Sequence, residues 1–523
     1  MKNLFESKHF PELKKLIEKT ASLSIAGLFE QYPGRSSDMI LQDKHFIFDY
    51  SKTHLTPEIL DLFEKVGEDL AIPQRIEAMF RGEKINVTEK RPALHPALRG
   101  KETDVFPVEG KNVMPEVVAV RQKMKTIAED FKAGKLTGAT GKTLKTLVNI
   151  GIGGSYLGPK AVIEALRPVQ TERKIFFLSN VDGEHLQDIW QSVDPEETLF
   201  VVVSKSFGTK ETLMNAGYLQ REMQRRYGKE GVSEHFIAVT ANPAKAEDFG
   251  IAPGNILPMW DWVGGRFSLW SAAGISIPLF LGYDIFLDLL EGARQADRDF
   301  RTLPFRKNPA LLMAAISLYY NHFKDAVSEA YIPYRQRLAY VPLHLQQLFM
   351  ESLGKHVRTD ATPVDYATGQ IVWGETGTNA QHSFFQLLHQ GTRLVPVHFI
   401  GTLTENGVKE NDDFLLANML AQSESLAFGK DAEDKFRQFE GNRPSDIWLF
   451  DALNARNLGY KLATYEHTVY ALSLFWDINA FDQFGVELGK VNADKIFEKI
   501  RRGTTEQSPL WNFIRKKAYK MYT

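Results

Sequence analysis

From about residue 115 onwards, short runs of β-branched residues alternate with helix-length segments, and this alternation constrains the fold more than any other feature. Helix-length segments between the first runs include Pro159–Leu166 and Thr209–Tyr227. Strands separated by helices predict a parallel sheet covered on both faces. The predicted strands are Thr146–Ile152, Lys174–Ser179, Thr198–Ser204, His235–Thr240 and Asn255–Leu257.

A second α/β stretch follows from about residue 286. Its predicted strands are Glu329–Pro333, Leu394–Gly401 and Asp446–Phe450. Its predicted helices are Ala310–Phe323, Leu343–Val357, Ala380–Gln390, Phe414–Ala427 and Leu458–Ile478. Residues 1–100 have the pattern of helices and loops, with amphipathic segments at Leu13–Leu28 and Pro57–Val66, and the tail from about 505 predicts one short helix.

Composition excludes several classes of function. A chain of 523 residues is too long for one ordinary core. Its net charge is −2 without a basic tail, so neither nucleic acid nor a membrane surface is expected as a partner. The absence of cysteine excludes disulfides and thiolate sites. The N-terminus has no apolar signal core, and the uncharged run Phe267–Tyr283 predicts a buried helix, so a cytoplasmic enzyme is expected.

Two turns that follow predicted strands have the residues of an anion site, because ligands of parallel sheets bind beyond the carboxyl ends of the strands. Gly151–Ser155 offers backbone amides ahead of a helix, although Tyr156 stands where a dinucleotide fingerprint needs glycine. Ser204–Thr209 offers three hydroxyl groups ahead of another helix. A plain glycine turn and ordinary helix capping are the alternatives, and together the turns favour a phosphate site.

Arg266 and Glu351 are candidates for chemistry on charged intermediates. Arg266 follows paired glycines. It holds a phosphate group, stabilises an oxyanion that forms in a reaction, or pairs with a carboxylate such as Asp261. Glu351 lies in a mostly apolar helix, one turn after Gln347. A partly buried glutamate beside a polar group is a candidate general base, because desolvation raises the pKa of a carboxyl group; a structural salt bridge is the alternative.

Further polar residues stand near the end of the chain. His382 is expected in the first turn of a helix with capping-box form, and His389 follows on roughly the same face. No spacing of the metalloprotease type supports a zinc pair, so no metal is expected. Gln483 and Lys490 lie seven residues apart and share a face if the segment is helical.

In combination, these segments resemble the glucose-6-phosphate isomerase family, also called phosphoglucose isomerase. The resemblance spans about residues 100 to 500, with the motifs in the family's order. They are Ile150–Pro159, Ser204–Thr212, Gly264–Ser268, Gln346–Lys355, Gly374–Gln390 and Ala471–Lys490.

The resemblance implies an α/β fold of two doubly wound sugar isomerase (SIS) domains with parallel-rich sheets, N-terminal helices and a C-terminal helical arm. The implied division is 1–110 as a helical segment packing on the second domain, 111–285 and 286–505 as the SIS domains, and 506–523 as a helical tail. It also implies a homodimer with the active site at the subunit interface, no cofactor, and isomerisation of glucose 6-phosphate and fructose 6-phosphate in glycolysis and gluconeogenesis.

The resemblance also assigns roles to individual residues. The positions that match those holding the substrate phosphate are Ser155, Ser204, Lys205, Ser206 and Thr209. Other substrate-contacting positions are Gly154, Gly265 and Gln347.

The same comparison implies the catalytic set. Arg266 matches the arginine that stabilises the enediolate, and Glu351 matches the base that moves the proton between C2 and C1. His382 matches a ring-opening histidine from the neighbouring subunit. Lys490 matches a lysine acting at the ring oxygen, with Gln483 beside it.

The sequence departs from the family's pattern at several positions, namely Gly208, Tyr156, Leu353 and Thr376. None of these departures removes a matched acid–base group. The rival interpretations are a non-catalytic sugar-phosphate sensor and, more weakly, an NAD-dependent dehydrogenase.

Overall fold

Parallel strands dominate the computed structural model, which describes residues 1–168, 171–403, 407–502 and 508–518. The chain forms two compact units, Met1–Ala480 and Phe481–Thr523. The predicted α/β class with parallel-rich sheets is confirmed, since the first unit holds a five-stranded and a six-stranded sheet.

The N-terminal region contains strands as well as the expected helices. Its helices are α1 (Phe10–Thr20), α2 (Ile25–Gln31), α3 (Arg35–Asp38), α4 (Pro57–Asp69) and α5 (Ile72–Phe80). Its strands are β1 (Ile40–Gln42), β2 (Phe46–Asp49), β3 (Pro107–Val108) and β4 (Lys111–Asn112). The expectation of helices and loops alone was therefore wrong: β2 pairs antiparallel with a strand of the second sheet, and its Phe46 and Phe48 are buried there. The single amphipathic segment Leu13–Leu28 is divided, because Ser24 caps a new helix.

The first sheet is wholly parallel, with the order β6-β5-β7-β8-β9. Its strands are β5 (Thr146–Ile150), β6 (Lys174–Leu178), β7 (Thr198–Val203), β8 (Phe236–Thr240) and β9 (Ile256–Pro258). The helices of this region are α6 (Met114–Lys132), α7 (Leu157–Leu166), α8 (Gly183–Ser192), α9 (Lys210–Tyr227), α10 (Pro243–Asp248) and α11 (Ser276–Leu281). β7 is buried at every position, as expected for a strand covered on both faces.

The second sheet has the order β1-β2-β13-β12-β10-β11, and β10 to β13 are parallel. Its remaining strands are β10 (Ser328–Pro333), β11 (Ile371–Trp373), β12 (Val397–Thr402) and β13 (Ser445–Phe450). The helices of this region are α12 (Tyr283–Thr302), α13 (Pro309–Phe323), α14 (Val341–Gln346), α15 (Gly377–Gln381), α16 (Phe385–Gln390), α17 (Lys409–Phe428) and α18 (Ala455–Trp476).

Two glycines allow α12 and α18 to cross at backbone contact. A Cβ on Gly292 would lie 1.8 Å from the carbonyl oxygen of Arg456, and one on Gly459 would lie 2.0 Å from that of Leu289. Only glycine permits such an approach. α18 is buried along almost its whole length, so this crossing fixes the helix that supports the second sheet.

The second unit is helical in its described part. It contains α19 (Glu487–Arg502) and α20 (Pro509–Ala518), and the predicted short tail helix corresponds to α20. Gln483 is the N-cap residue of a short 3-10 turn, Phe484–Val486, which comes before α19. A common face of Gln483 and Lys490 was expected only if the segment is helical, and this condition is not met because Gln483 lies before the helical residues. Among the described residues, no helix combines the length and apolar character needed to cross a bilayer.

Candidate active site

The two predicted anion turns lie side by side. β5 and β7 are parallel neighbours, with Ile150 opposite Val202, so the turns that follow them leave the same edge of the sheet. The strand order is that of a doubly wound sheet whose direction reverses between these two strands. Such a reversal opens a crevice in which ligands of this architecture bind.

The Ser204–Thr209 turn keeps its hydroxyl groups available. The Oγ of buried Ser204 donates to Oγ1 of Thr209 at 3.2 Å, and Ser206 is exposed. Thr209 is the N-cap of α9, but its side chain accepts no capping hydrogen bond. The turn is shaped by Phe207, which is buried with φ of +43°, a conformation unusual for a side-chain-bearing residue. Ordinary capping therefore does not account for these hydroxyl groups.

The Gly151–Ser155 turn is locked against the turn that carries Arg266. Gly153 has φ of +59°, and a Cβ on Gly154 would lie 2.0 Å from the carbonyl oxygen of Gly265. The amide of buried Asn149 donates to the carbonyl oxygen of Ser155 at 3.2 Å. Glycine is required at Gly154 because the backbones of the two turns are in direct contact. This contact places the Gly151–Ser155 turn, called the phosphate-type turn below, next to the turn that carries Arg266.

Lys205 supports the site through backbone carbonyl groups. Its Nζ donates to the carbonyl oxygens of Asp261 and Val263, both at 2.9 Å. Burial and the nearby Arg91 lower the pKa of Lys205 to about 8. The amine thus fastens the loop that leads into the paired glycines before Arg266.

The guanidinium of Arg266 is buried and directed at a carboxylate. Its Nε donates to Oγ of Ser352 at 2.6 Å, and Nη2 donates to the carbonyl oxygen of Ala480. Nη1 lies 3.6 Å from Oε2 of Glu351. The alternative partner, Asp261, instead lies 3.8 Å from Arg91, so the arginine is paired with the candidate base.

Glu351 ends a π-helical turn, Gln347–Glu351, that directly continues α14. The predicted regular helix Leu343–Val357 was wrong in this respect and in extending beyond Leu353. Nε2 of Gln347 donates to Oε2 of Glu351 at 2.9 Å, and the glutamate side chain is 21% exposed. Among the described residues, Oε1 of Gln347 is buried without a hydrogen-bond partner. π-Helical turns are frequent at functional sites, and this one presents a half-open carboxylate beside a free acceptor.

Two predicted histidines of the first unit, His382 and His389, lie outside this contact set. His382 follows α15 as an exposed side chain, so its expected place in the first turn was wrong, and Thr376 is the N-cap instead. His389 contacts Gln422 at 2.7 Å. Lys490 is an exposed residue in the first turn of α19. In the described ranges, no group of three or more His, Cys, Asp or Glu side chains is arranged to hold a metal ion.

Sequence reasoning missed two side chains that support the site. Ser352 accepts from Arg266, and Asn149 holds the Ser155 carbonyl while accepting from Ser276 at 2.8 Å. The sequence could have indicated Asn149, because a side-chain amide in the middle of a buried β-branched strand needs buried hydrogen-bond partners. For Ser352 the sequence offers no such indication apart from its position next to Glu351.

Comparison with known proteins identifies the family. The family model described as phosphoglucose isomerase matches residues 49–509. The chain is 42% identical to a glucose-6-phosphate isomerase of Christiangramia forsetii, covering 97% of each, and 46% identical to one of Deinococcus radiodurans, covering 90% and 89%. A crystal structure of a glucose-6-phosphate isomerase from Chlamydia trachomatis superposes over 100% of both chains with a TM-score of 0.85 and 30% identity. This chain belongs to the phosphoglucose isomerase family.

Proposed function

We propose that this chain interconverts D-glucose 6-phosphate and D-fructose 6-phosphate through a cis-enediol. The observation that carries the proposal is the placement of Glu351, whose carboxylate lies between the Gln347 amide and the Arg266 guanidinium. The Gly151–Ser155 turn contacts the Arg266 turn through Gly154 and Gly265, and Lys205 of the other turn donates to the carbonyl oxygens of Asp261 and Val263. A base, a fixed positive charge and an anion cradle are the parts that such an isomerisation requires.

The phosphate group anchors the substrate. The hydroxyl groups of Ser204, Ser206 and Thr209 donate to its oxygens, with the first turn of α9 behind them. Ser155 and the backbone at Gly154 and Gly265 hold the same end of the molecule. Anchoring supplies orientation, which acid–base catalysis of about 10²- to 10⁴-fold cannot replace.

Glu351 then takes the proton from C2 of the open chain. The electron pair moves to form the C1–C2 double bond, and the C1 carbonyl oxygen becomes an enediolate oxygen. Arg266 stabilises that oxygen, a contribution of about 2.7–4 kcal/mol per donor in comparable sites. The proton of the C2 hydroxyl group is transferred to the C1 oxygen, and Glu351 returns its proton to C1. The product has a hydroxyl group at C1 and a carbonyl group at C2, so no atom or electron is gained or lost.

Ring opening precedes this step. By family resemblance, His382 and Lys490 move protons between the ring oxygen and the C1 hydroxyl group, with Gln483 beside Lys490. The unpartnered Oε1 of Gln347 is suited to accept from a substrate hydroxyl group. No metal or cofactor takes part in the proposed steps.

The alternative of a non-catalytic sensor is not favoured. The relatives reported above carry the name of the enzyme, and the acid–base set Glu351, His382 and Lys490 is retained. A sensor would need the phosphate turns without that set.

The proposal extends to assembly and location. A homodimer with the active site at its interface is supported by α19, where apolar side chains such as Leu488, Val491 and Ile496 are exposed in the single chain. The division into SIS domains at 111–285 and 286–505, with flanking segments 1–110 and 506–523, is retained as part of this proposal. A cytoplasmic location goes with it, because charged sugar phosphates do not cross bilayers freely.

The test uses purified protein in EDTA with fructose 6-phosphate, following glucose 6-phosphate through a coupled dehydrogenase. We expect turnover in the wild type and a loss of more than about 10²-fold in Glu351→Gln, which keeps shape and the Gln347 contact but has no base. Substrate binding by the variant, measured by calorimetry, should persist. Binding without turnover in the wild type would favour the sensor, and near-normal turnover in Glu351→Gln would exclude Glu351 as the base.

A further inference from the structure

A second charged cleft lies in the first compact unit, and it shares no lining residue with the candidate active site. Its walls come from α6, α12, the beginning of α18 and the segment that follows Arg99. Its volume is about 500 Å³, which is ample for a sugar-sized molecule. The charged or polar side chains of its lining include Glu102, Arg121, Tyr283, Asp288, Glu291, Arg294 and Arg456.

Arg121 is the residue that marks this cleft as a site. Its side chain is partly buried on α6, and burial lowers its pKa. The negative charges of Asp104 and Glu102, and the hydroxyl group of Tyr283, act in the opposite direction and raise this pKa. No described residue, these three included, makes a hydrogen bond or ion pair with the guanidinium of Arg121. A partly buried guanidinium that lines the cleft without an ion-pair partner has N–H donors available to an incoming anion.

The other cations of the cleft are only partly used. Arg294 donates to Glu291 through Nε at 3.1 Å and through Nη2 at 2.7 Å, so these two contacts leave Nη1 unengaged. Arg456 reaches Asp288 through Nη2 at 3.4 Å. Since a guanidinium has five N–H donors, both arginines retain donors for a ligand after these contacts.

Arg99 closes one side of the cleft and is fully engaged inward. It forms a paired contact with Asp297 at 2.9 and 2.6 Å and donates to Glu466 at 2.5 Å. This hydrogen-bond network is buried, so it stabilises one side of the cleft. It does not supply donors to a ligand.

We propose that this cleft binds a hydroxylated phosphate monoester as a second site, separate from the isomerase site. Arg121 holds the phosphate group in the planar fork that a guanidinium offers to oxyanions. The carboxylates Glu102, Asp288 and Glu291 accept from the ligand's hydroxyl groups, which a bare phosphate lacks. The mixture of donors and carboxylates thus selects a polyol phosphate over the free ion.

The test is calorimetric titration of the full chain with D-glucitol 6-phosphate, a polyol phosphate that has no carbonyl group to isomerise. We expect two sites per chain in the wild type. Arg121→Gln should weaken one site about 10- to 100-fold, the loss of a charged hydrogen bond, while turnover of fructose 6-phosphate stays unchanged. Ser204→Ala combined with Thr209→Ala should weaken the other site instead.

Three controls make the result decisive. Lys125→Gln alters an exposed lysine of α6, paired with Glu129 at 3.7 Å, and should leave both sites intact. Inorganic phosphate should bind the Arg121 site more weakly than the polyol phosphate, and glucitol without phosphate should not bind. One site in the wild type, two unchanged sites in Arg121→Gln, or a changed oligomeric mass in that variant would each overturn the proposal. The last result would place the cleft in a subunit interface.

Discussion

At the scale of single residues, Ser352 orients the guanidinium group of Arg266. Its hydroxyl oxygen accepts from Nε at 2.6 Å, and both side chains are buried. Removing the acceptor takes from the buried, charged Nε–H its hydrogen bond to Ser352, at a cost of about 1–3 kcal/mol. We expect Ser352→Ala to lower kcat about tenfold, with little change in KM, because the guanidinium loses its orientation towards the enediolate while the phosphate contacts are unchanged.

The matched control for this variant is Ser271→Ala. Ser271 is equally buried in the same region, but its hydroxyl group serves the carbonyl oxygen of Ser268 and the amide of Ala273. It should lose stability without a selective fall in kcat. If both variants lower kcat to the same extent, the hydroxyl group of Ser352 has no special role at the arginine.

At the scale of elements, the site depends on the contact between two turns. A Cβ on Gly154 would overlap the carbonyl oxygen of Gly265, so Gly154→Ala must separate the phosphate-type turn from the Arg266 turn. We expect a loss of kcat/KM of at least about 10²-fold, since small misplacements of reacting groups have such effects. Steady-state kinetics measures the loss, and circular dichroism checks that the chain is folded.

Gly183→Ala is the comparison for that variant. Gly183 is the first residue of α8, and a Cβ there meets no atom within 4 Å. The substitution should leave activity unchanged and raise stability by about 0.4–1 kcal/mol. If Gly154→Ala and Gly183→Ala have equal kcat/KM, the reaction does not depend on close contact between the Gly154 turn and the Arg266 turn.

The three central strands of the second sheet share a buried ionic cluster. Nδ1 of His398 lies 2.6 Å from Asp446, and Nε2 lies 3.4 Å from Glu329. Burial opposes a charged ring, but the two carboxylates prevail and raise the pKa of His398 to about 10. The protonated ring therefore stabilises the folded state fully below its unfolded pKa of about 6.5, and this stabilisation is lost as pH rises through about 10.

This linkage gives a measurable pH dependence. The free energy of unfolding of the wild type, relative to His398→Gln, should fall by roughly 3 kcal/mol between pH 7 and pH 10. Urea denaturation of both proteins across that range provides the measurement. A difference that is constant with pH would mean that His398 is not charged in the folded chain.

Sequence patterns predicted the elements better than the contacts between them. The parallel strands were found because β-branched runs are long and buried, as in β7. β2 was missed because the strand has only four residues and its partner is distant in sequence. The exposed residue between buried Phe46 and Phe48 is the apolar Ile47, so the sequence shows no polar alternation there. The carbonyl partners of Lys205 and the π-helical turn at Glu351 depend on tertiary packing, which no local periodicity reports.

At the scale of the whole molecule, the proposed homodimer makes each active site a joint product of two chains. Glu351 lies at the buried contact with Arg266, whereas His382 is exposed on the same chain and, by family resemblance, serves the neighbouring subunit. Glu351→Gln and His382→Ala should therefore each be inactive as homodimers. Their hybrid, however, holds one site with an intact Glu351 and an intact His382.

Co-expression of the two variants with different affinity tags tests this arrangement. A random mixture contains about half hybrids, and one intact site in each gives about a quarter of wild-type activity, a consequence of two-fold symmetry. Purification through both tags should raise the value to about half. If the two residues served one site within a single chain, every hybrid site would lack one of them, and activity would stay at the level of the separate variants.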